Sequence, residues 1–288
     1  MPNDSISPWS ETFSVAGVPF VASPFATSIS YFLESSRDIQ VKGRAIRLAN
    51  AYSVASATKD VAYRRVMLSG GFNLPDGLPV VWYMMRSNRR APELVVDRHR
   101  GPSFFYECLD RGREFGTRHF LLGATEETIA LLADRLKSKY PGLAISGTWA
   151  PPFAPLDDGF FTKAAELIRA SQPDIVWVAM GTPKQDFAAL RISTLTGIDS
   201  VGVGAAFDFG AGTVAEAPKL IQDSGFEWLY RLCCEPRRLW KRYFFGNVRF
   251  LFHAEVALVR DRITSLVCKI RTRRGGLRGA NVDGQVPK

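Results

Sequence analysis

This chain of 288 residues is poor in the side chains that bind metals or form disulfides. It has three histidines (His99, His119, His253) and four cysteines (Cys108, Cys233, Cys234, Cys268), with no CxxC pair. That scarcity argues against a structural zinc site and against a disulfide framework, and it fits a reducing cytoplasm. No two aspartates stand two residues apart, so there is no Asp-x-Asp to hold a divalent ion on a nucleotide diphosphate; Asp157 and Asp158 are adjacent and read as a turn. A G-x-x-x-x-G-K-[ST] loop is also missing, which disfavours ordinary ATP or GTP hydrolysis. The longest uncharged run, 12–33, contains Pro19, Pro24 and many Ser and Thr residues. It therefore reads as strand, turn and helix, not as a membrane span. The start, MPNDSISPWSE, lacks the basic and apolar regions of a signal peptide, so none is expected.

Net charge is missing from most of the chain. Residues 1–218 hold 22 basic and 22 acidic side chains, whereas 219–288 hold 15 and 6, so the last seventy residues carry the whole net charge of +9. A basic tail on a neutral body seeks phosphate: nucleic acid, an anionic bilayer, or the diphosphate of a nucleotide substrate.

The body alternates short apolar strands with amphipathic helices. A strand or hairpin is expected over 13–22, with a helix from Pro24 to Ser35. A strand over 44–49 ends at Asn50, and a helix follows over 53–68. An extended piece at 71–74 leads into the turn Pro75-Asp76-Gly77 and a helix over 78–86. Beyond these, helices are expected at 103–115, 125–139, 158–170 and 183–195, and strands at 119–122, 143–148, 175–179 and 200–203. The pattern implies an α/β fold: a Rossmann-like, mostly parallel sheet with helices on both faces, plus a basic helical C-terminal appendage. The expected parts are a body over 1–218, an appendage over 219–274 and a disordered end over 275–288.

Four stretches could carry chemistry, each with a plainer alternative. Asp76 in NLPDG (73–77) sits where a strand gives way to a helix; it suits a general base at the sheet rim, or it caps the next helix. GTPKQD (181–186) follows a strand. Its Gly181, Lys184 and Gln185 could meet a phosphate or sugar hydroxyls at a helix amino end, or they are loop-to-helix punctuation. GVGAAFDFGAG (202–212) begins GxGxxF, short of a dinucleotide fingerprint; it brings backbone close to a ligand or packs the core. In EWLYR…EPRRLWKRY (227–243), a continuous helix would put Arg231, Arg238 and Lys241 or Arg242 on one face, either for a diphosphate or for solvent.

Taken in order, these stretches resemble the WecG/TagA/CpsF glycosyltransferase family. Asn50 with its following helix, LPDG, GTPKQ, GVGAAFDFGAG and the long EWLYRL…EPRRLWKRY segment all match, over roughly residues 44 to 250. The resemblance implies a bacterial, inverting, metal-independent enzyme with no cofactor. Such an enzyme moves a sugar from a UDP-sugar to a polyprenyl-diphosphate-linked acceptor at the inner face of the plasma membrane. N-acetylmannosamine, its uronate and hexoses are the sugars the resemblance allows. It further implies Asp76 as the base, with substrate contacts from Asn50, Gly181, Lys184, Gln185, Gly204, Phe207, Asp208, Arg231, Arg238, Lys241 and Arg242. Leu48 stands where the family often has threonine, and Lys241 where arginine is common. The expected partners are the two substrates and an anionic membrane surface. A homo-oligomer is allowed, since the tail can act in cis or cover a neighbour. The appendage's charge also permits nucleic-acid binding, but no RNP1 motif, zinc finger or helix-turn-helix accompanies it, and none is expected. An NAD-dependent oxidoreductase would rest on GxGxxF alone, without the downstream acidic residue.

Overall fold

A computed structural model of the chain describes residues 7–38, 40–41, 43–87 and 94–279, and the side chains of all of these except 238, 242, 243 and 265–279. An antiparallel hairpin, β1 (Thr12–Val15) and β2 (Val18–Val21), turns tightly through Ala16 and Gly17, both at positive φ. Helix α1 (Phe25–Ser35) follows, then β3 (Ala45–Ala49). The helix expected over 53–68 is in fact two: α2 (Ala51–Lys59) and α3 (Val61–Leu68). Asp60 breaks the run, because its carboxylate accepts from the N–H groups of Ala62 and Tyr63 and so caps a new helix. Next come β4 (Gly71–Pro75), α4 (Leu78–Ser87) and α5 (Gly101–Gly112), the last closed by a 3-10 turn.

Four further strands and their helices complete the body: β5 (Arg118–Gly123), α6 (Glu126–Lys139), β6 (Ala144–Trp149), α7 (Asp158–Ser171), β7 (Ile175–Ala179), α8 (Lys184–Thr196), β8 (Asp199–Gly202) and α9 (Ala206–Ala211). The appendage adds α10 (Lys219–Ser224), α11 (Glu227–Cys234) and α12 (Pro236–Gly279). Because α12 runs to Gly279, the first part of the end expected to be disordered is helical; 280–288 lie outside the described residues.

β3 to β8 form one parallel sheet in the order β4-β3-β8-β7-β5-β6. Alternate residues of a strand face opposite sides, and the core follows that rule. In β7, Ile175 and Trp177 join the cluster under α1, α5, α6 and α9, whereas Val176 and Val178 join the one under α7 and α8. Burial on both faces explains why β7 reads as an unbroken apolar run.

A third cluster ties the appendage to the body. Phe250, Ala254 and Leu258 of α12 pack with Val54, Ala55, Val80, Tyr83 and Met84 of α2 and α4, and with the hairpin. The spacing 250, 254, 258 is one helical stripe. At Gly246 the backbone comes so close to the Tyr52 ring that a methyl group would sit 3.1 Å from it. Glu255 accepts from Tyr83 Oη at 2.8 Å and Arg86 Nη1 at 2.9 Å, fixing α12 along α4.

Candidate active site

Asp76 lies just past the carboxyl end of β4, beside the end of β3. Its N–H donates to Ala49 O at 2.9 Å, which continues the sheet pairing one residue further. Asn50, next after β3, is the N-cap of α2: its Oδ1 accepts from Tyr52 N at 3.0 Å and Ser53 N at 3.3 Å, and Ser53 Oγ accepts in turn from Asn50 N–H at 3.3 Å. Gly77, at φ +101°, makes the turn that follows Asp76, a backbone conformation that favours glycine. β3 lies between β4 and β8, and the chain goes from β4 across to β5 on the far side of β8 and β7. Ligands of open parallel sheets sit at such a reversal, outside the carboxyl ends of the strands.

Arginines and one glutamate surround the Asp76 carboxyl. Burial, followed by the charge of Glu227, pushes its pKa up from 3.8 to about 6, and Arg100, Arg98 and Arg231 oppose that rise. Arg231 belongs to α11, so one cation of the basic appendage lies close enough to act on the carboxyl electrostatically. Its guanidinium lies 5.6 Å from the Phe209 ring centroid, and its buried Nε has no hydrogen-bond partner among the described residues. Arg98 and Arg100 come from the segment before α5, whose His99 N–H donates to Pro75 O at 2.7 Å.

The other expected contacts fall into several groups. Gly181 turns at φ +75° on the surface, with open space where a side chain would stand. Lys184 is held at the rim, its Nζ donating to Ala154 O at 2.7 Å and lying over the exposed Phe153 ring. Gln185 is only 3% exposed, and its Oε1 accepts from Gly204 N at 3.0 Å. That bond makes it a brace for the loop after β8 and takes its carbonyl away from a sugar. The amino end of α8 already carries the buried Asp186, which accepts from Tyr63 Oη at 2.6 Å. Phe207 is a correction: it is fully buried against Phe105 in the core and has no surface to offer a substrate. Asp208 is half-buried in the first turn of α9, and its carbonyl closes that helix by accepting from Thr213 N. Leu48 is buried in the core beside Gly101.

The continuous arginine face expected over 227–243 is also corrected. Glu235 has φ −132° and ψ 57°, so the helix stops there and α12 restarts at Pro236. The residue before a proline is driven out of the α region, a signal visible in Glu235-Pro236 itself. Arg231 thus belongs to a different helix from the later cations. Lys241 is exposed and sits over the Trp240 ring at 5.6 Å, and it is not among the groups acting on Asp76. The side chains of Arg238 and Arg242 lie outside the described residues.

Sequence reasoning missed Arg98, Arg100 and Glu216. Arg100 donates through Nε and Nη2 to both oxygens of Glu227, at 2.9 and 2.7 Å, and its Nη1 lies 2.6 Å from Glu216. The one local cue was two arginines flanking His99 just ahead of the Gly101-Pro102 helix start; the partners lie more than a hundred residues away. Among the described residues, no group of three or more His, Cys, Asp or Glu side chains gathers to hold a metal.

On the neighbouring face of α11, Trp228 and Leu232 combine with Trp240, Phe244, Asn247 and Val248 of α12 to line an apolar groove of about 310 Å³. Hence α11 presents Glu227 and Arg231 to the carboxylate and, one position on, Trp228 and Leu232 to the groove. No helix among the described residues is long and apolar enough to cross a membrane.

Comparison with known proteins yields matches along most of the chain. Residues 13–264 match the Glycosyl transferase WecG/TagA/CpsF family. The N-acetylglucosaminyldiphosphoundecaprenol N-acetyl-beta-D-mannosaminyltransferase of Bacillus subtilis (strain 168) is 32% identical over 236 residues, covering 81% of this chain and 87% of that one. The protein of the same description from Bacillus spizizenii is equally similar, with 86% of its length covered.

Proposed function

The chain belongs to the WecG/TagA/CpsF family and is a glycosyltransferase, and on that premise we propose that it moves N-acetylmannosamine from a UDP donor to a sugar on a polyprenyl diphosphate, with Asp76 as base and protein cations in place of a metal. One observation carries this reading: the Asp76 carboxyl lies at the strand ends with its pKa raised to about 6, while Arg231, Arg100 and Arg98 act on it. A base of that strength is ionised at neutral pH and still holds a proton well. It takes the proton of the acceptor hydroxyl as that oxygen attacks the anomeric carbon opposite UDP. The configuration inverts, and the transition state has oxocarbenium character. Negative charge grows on the departing diphosphate. Arg231, whose Nε–H has no acceptor among the described residues, supplies positive charge there in a partly dry setting.

The relatives' printed acceptor, N-acetylglucosaminyldiphosphoundecaprenol, supports a lipid-linked acceptor for this chain. So does the groove beside Arg231, whose apolar walls suit a prenyl chain close to its diphosphate. Peripheral contact with the inner face of an anionic membrane completes the reading. The outer side of α12 exposes Trp240, Phe244, Phe245, Leu251 and Phe252 among basic residues, the composition of an interfacial helix.

The test is a panel of UDP-sugars with a polyprenyl-diphosphate N-acetylglucosamine acceptor, scored by UDP release with and without EDTA. UDP-N-acetylmannosamine is expected to react, EDTA to leave the rate unchanged, and Asp76→Asn to lose about 10²- to 10⁴-fold in turnover. A requirement for magnesium or manganese, or near-normal turnover of Asp76→Asn, would overturn the mechanism.

A further inference from the structure

We propose that Arg100 is a positioning residue, a latch that holds α11, and with it Arg231 and Glu227, against Asp76. The proposal rests on the reading of Asp76 as the base, and its consequences for the fold can be measured apart from that reading.

The argument starts from what does not hold α10 and α11 in place. Neither helix has a buried residue. Apolar burial, which fastens α12 through Phe250, Ala254 and Leu258, is therefore weak along this stretch. Polar contacts tie it to the body, and they come from the segment before α5. His99 holds the segment to the end of β4 through Pro75 O. On either side of it, Arg98 Nη1 donates to Gln222 O of α10 at 2.8 Å, and Arg100 pairs with Glu227 of α11. The same guanidinium takes Glu216, in the link between α9 and α10. Arg100 is 3% exposed, whereas the side chains of Glu216 and Glu227 are 31% and 19% exposed. The body thus contributes a fixed, enclosed cation, and the appendage brings the carboxylates to it.

Geometry makes arginine specific here. Two parallel N–H···O bonds to Glu227 set the orientation of α11, and a third nitrogen remains for Glu216. Arg100 and Arg231 both approach the Phe209 ring, at 6.0 and 5.6 Å. Glu227 and Arg231 are one helical turn apart, so the grip on the first sets the position of the second. Four charged groups consequently face Asp76: Glu227 and Arg231 from α11, and Arg98 and Arg100 from the segment before α5.

The experiment uses the full chain, with Arg100→Met, Arg100→Lys and Glu227→Gln. Hydrogen exchange is read over 219–234 and over β5 and β7, and UDP release is followed against pH. In Arg100→Met the appendage amides are expected to exchange about tenfold faster or more, the size expected for losing charged hydrogen bonds, with the two strands unchanged. Lysine should restore part of that protection. The acid limb of turnover should move to higher pH in Arg100→Met, because a cation that favours the carboxylate is gone. It should move to lower pH in Glu227→Gln, because a like charge is gone; a merely structural role would not separate the two directions. Unchanged exchange in Arg100→Met would overturn the latch. Should that variant not fold, Glu216→Gln removes one arm, and faster exchange confined to 219–234 is again expected; no change there would overturn the proposal. Faster exchange alongside normal turnover of Asp76→Asn would leave the latch standing and remove the base.

Discussion

At the scale of single residues, the Asp76 carboxyl gives a signed prediction about stability. Its pKa is raised in the folded chain, so the fold favours the protonated form. Below about pH 4 the group is protonated folded or unfolded and costs nothing. As pH rises through 6 the folded state must hold a carboxylate that burial and Glu227 disfavour, and stability falls by on the order of 2–3 kcal/mol. Asp76→Asn should therefore melt several degrees above the parent at pH 7.5 and level with it at pH 3.5. Equal melting at both values would show that the carboxyl is not desolvated. His99 and His119 work the other way: burial lowers both to about 4, so stability is lost as pH falls from 6.5 toward 4. The strand-end positions of Asp76 and Asn50 were legible in the sequence because they are set locally, by a Pro-Asp-Gly turn and a strand-to-helix junction. Phe207 was misread, and the bond between Gln185 and Gly204 was invisible, for the opposite reason. A phenylalanine in a glycine-rich turn looks available until the fold buries it against Phe105, and a glutamine after a loop looks free until Gly204 N–H turns out to be its partner.

At the scale of elements, most boundaries were readable because caps and periodicity are written in neighbouring residues. β7 matches its expected span, the cap at Thr125 stands where the expected helix begins, and the cap at Asn50 starts α2 two residues ahead of the expected 53. The two breaks that were missed, at Asp60 and Glu235, carried ordinary signals, an N-cap aspartate and a residue before proline. What no local pattern revealed is that α12 has two apolar sides with different fates. Phe250 packs edge-on against Tyr83 at 5.3 Å and is 1% exposed, whereas Phe252, two residues on, is 64% exposed. Phe250→Ala should cost about 3–5 kcal/mol in urea unfolding, and Phe252→Ala should change stability within about 0.5 kcal/mol. Equal losses would mean that α12 packs by another face.

On the scale of the whole molecule, the net charge belongs to the last seventy residues of the sequence, and the described part of α12 exposes Lys241 and Arg249 among aromatics. Each basic side chain near an anionic bilayer adds on the order of 1 kcal/mol, and large exposed apolar patches mark membrane or partner contact. The triple change Trp240→Ser, Phe244→Ser, Phe245→Ser should reduce flotation with anionic vesicles while leaving the melting temperature within a few degrees. Undiminished flotation would place the membrane contact elsewhere. The segregation of charge was plain from composition, but the seating of the charged helix was not, since that depends on which of its stripes the body covers.

The stripe 250, 254, 258 also bears on how the protein can be handled. A deletion ending near Gly225 would strip a wall from the cluster that contains Val54, Val80 and Met84, leaving sticky, half-folded material in place of a trimmed enzyme. A detergent-free preparation should come from repainting the outer side of α12 with polar residues, and the helix itself must stay.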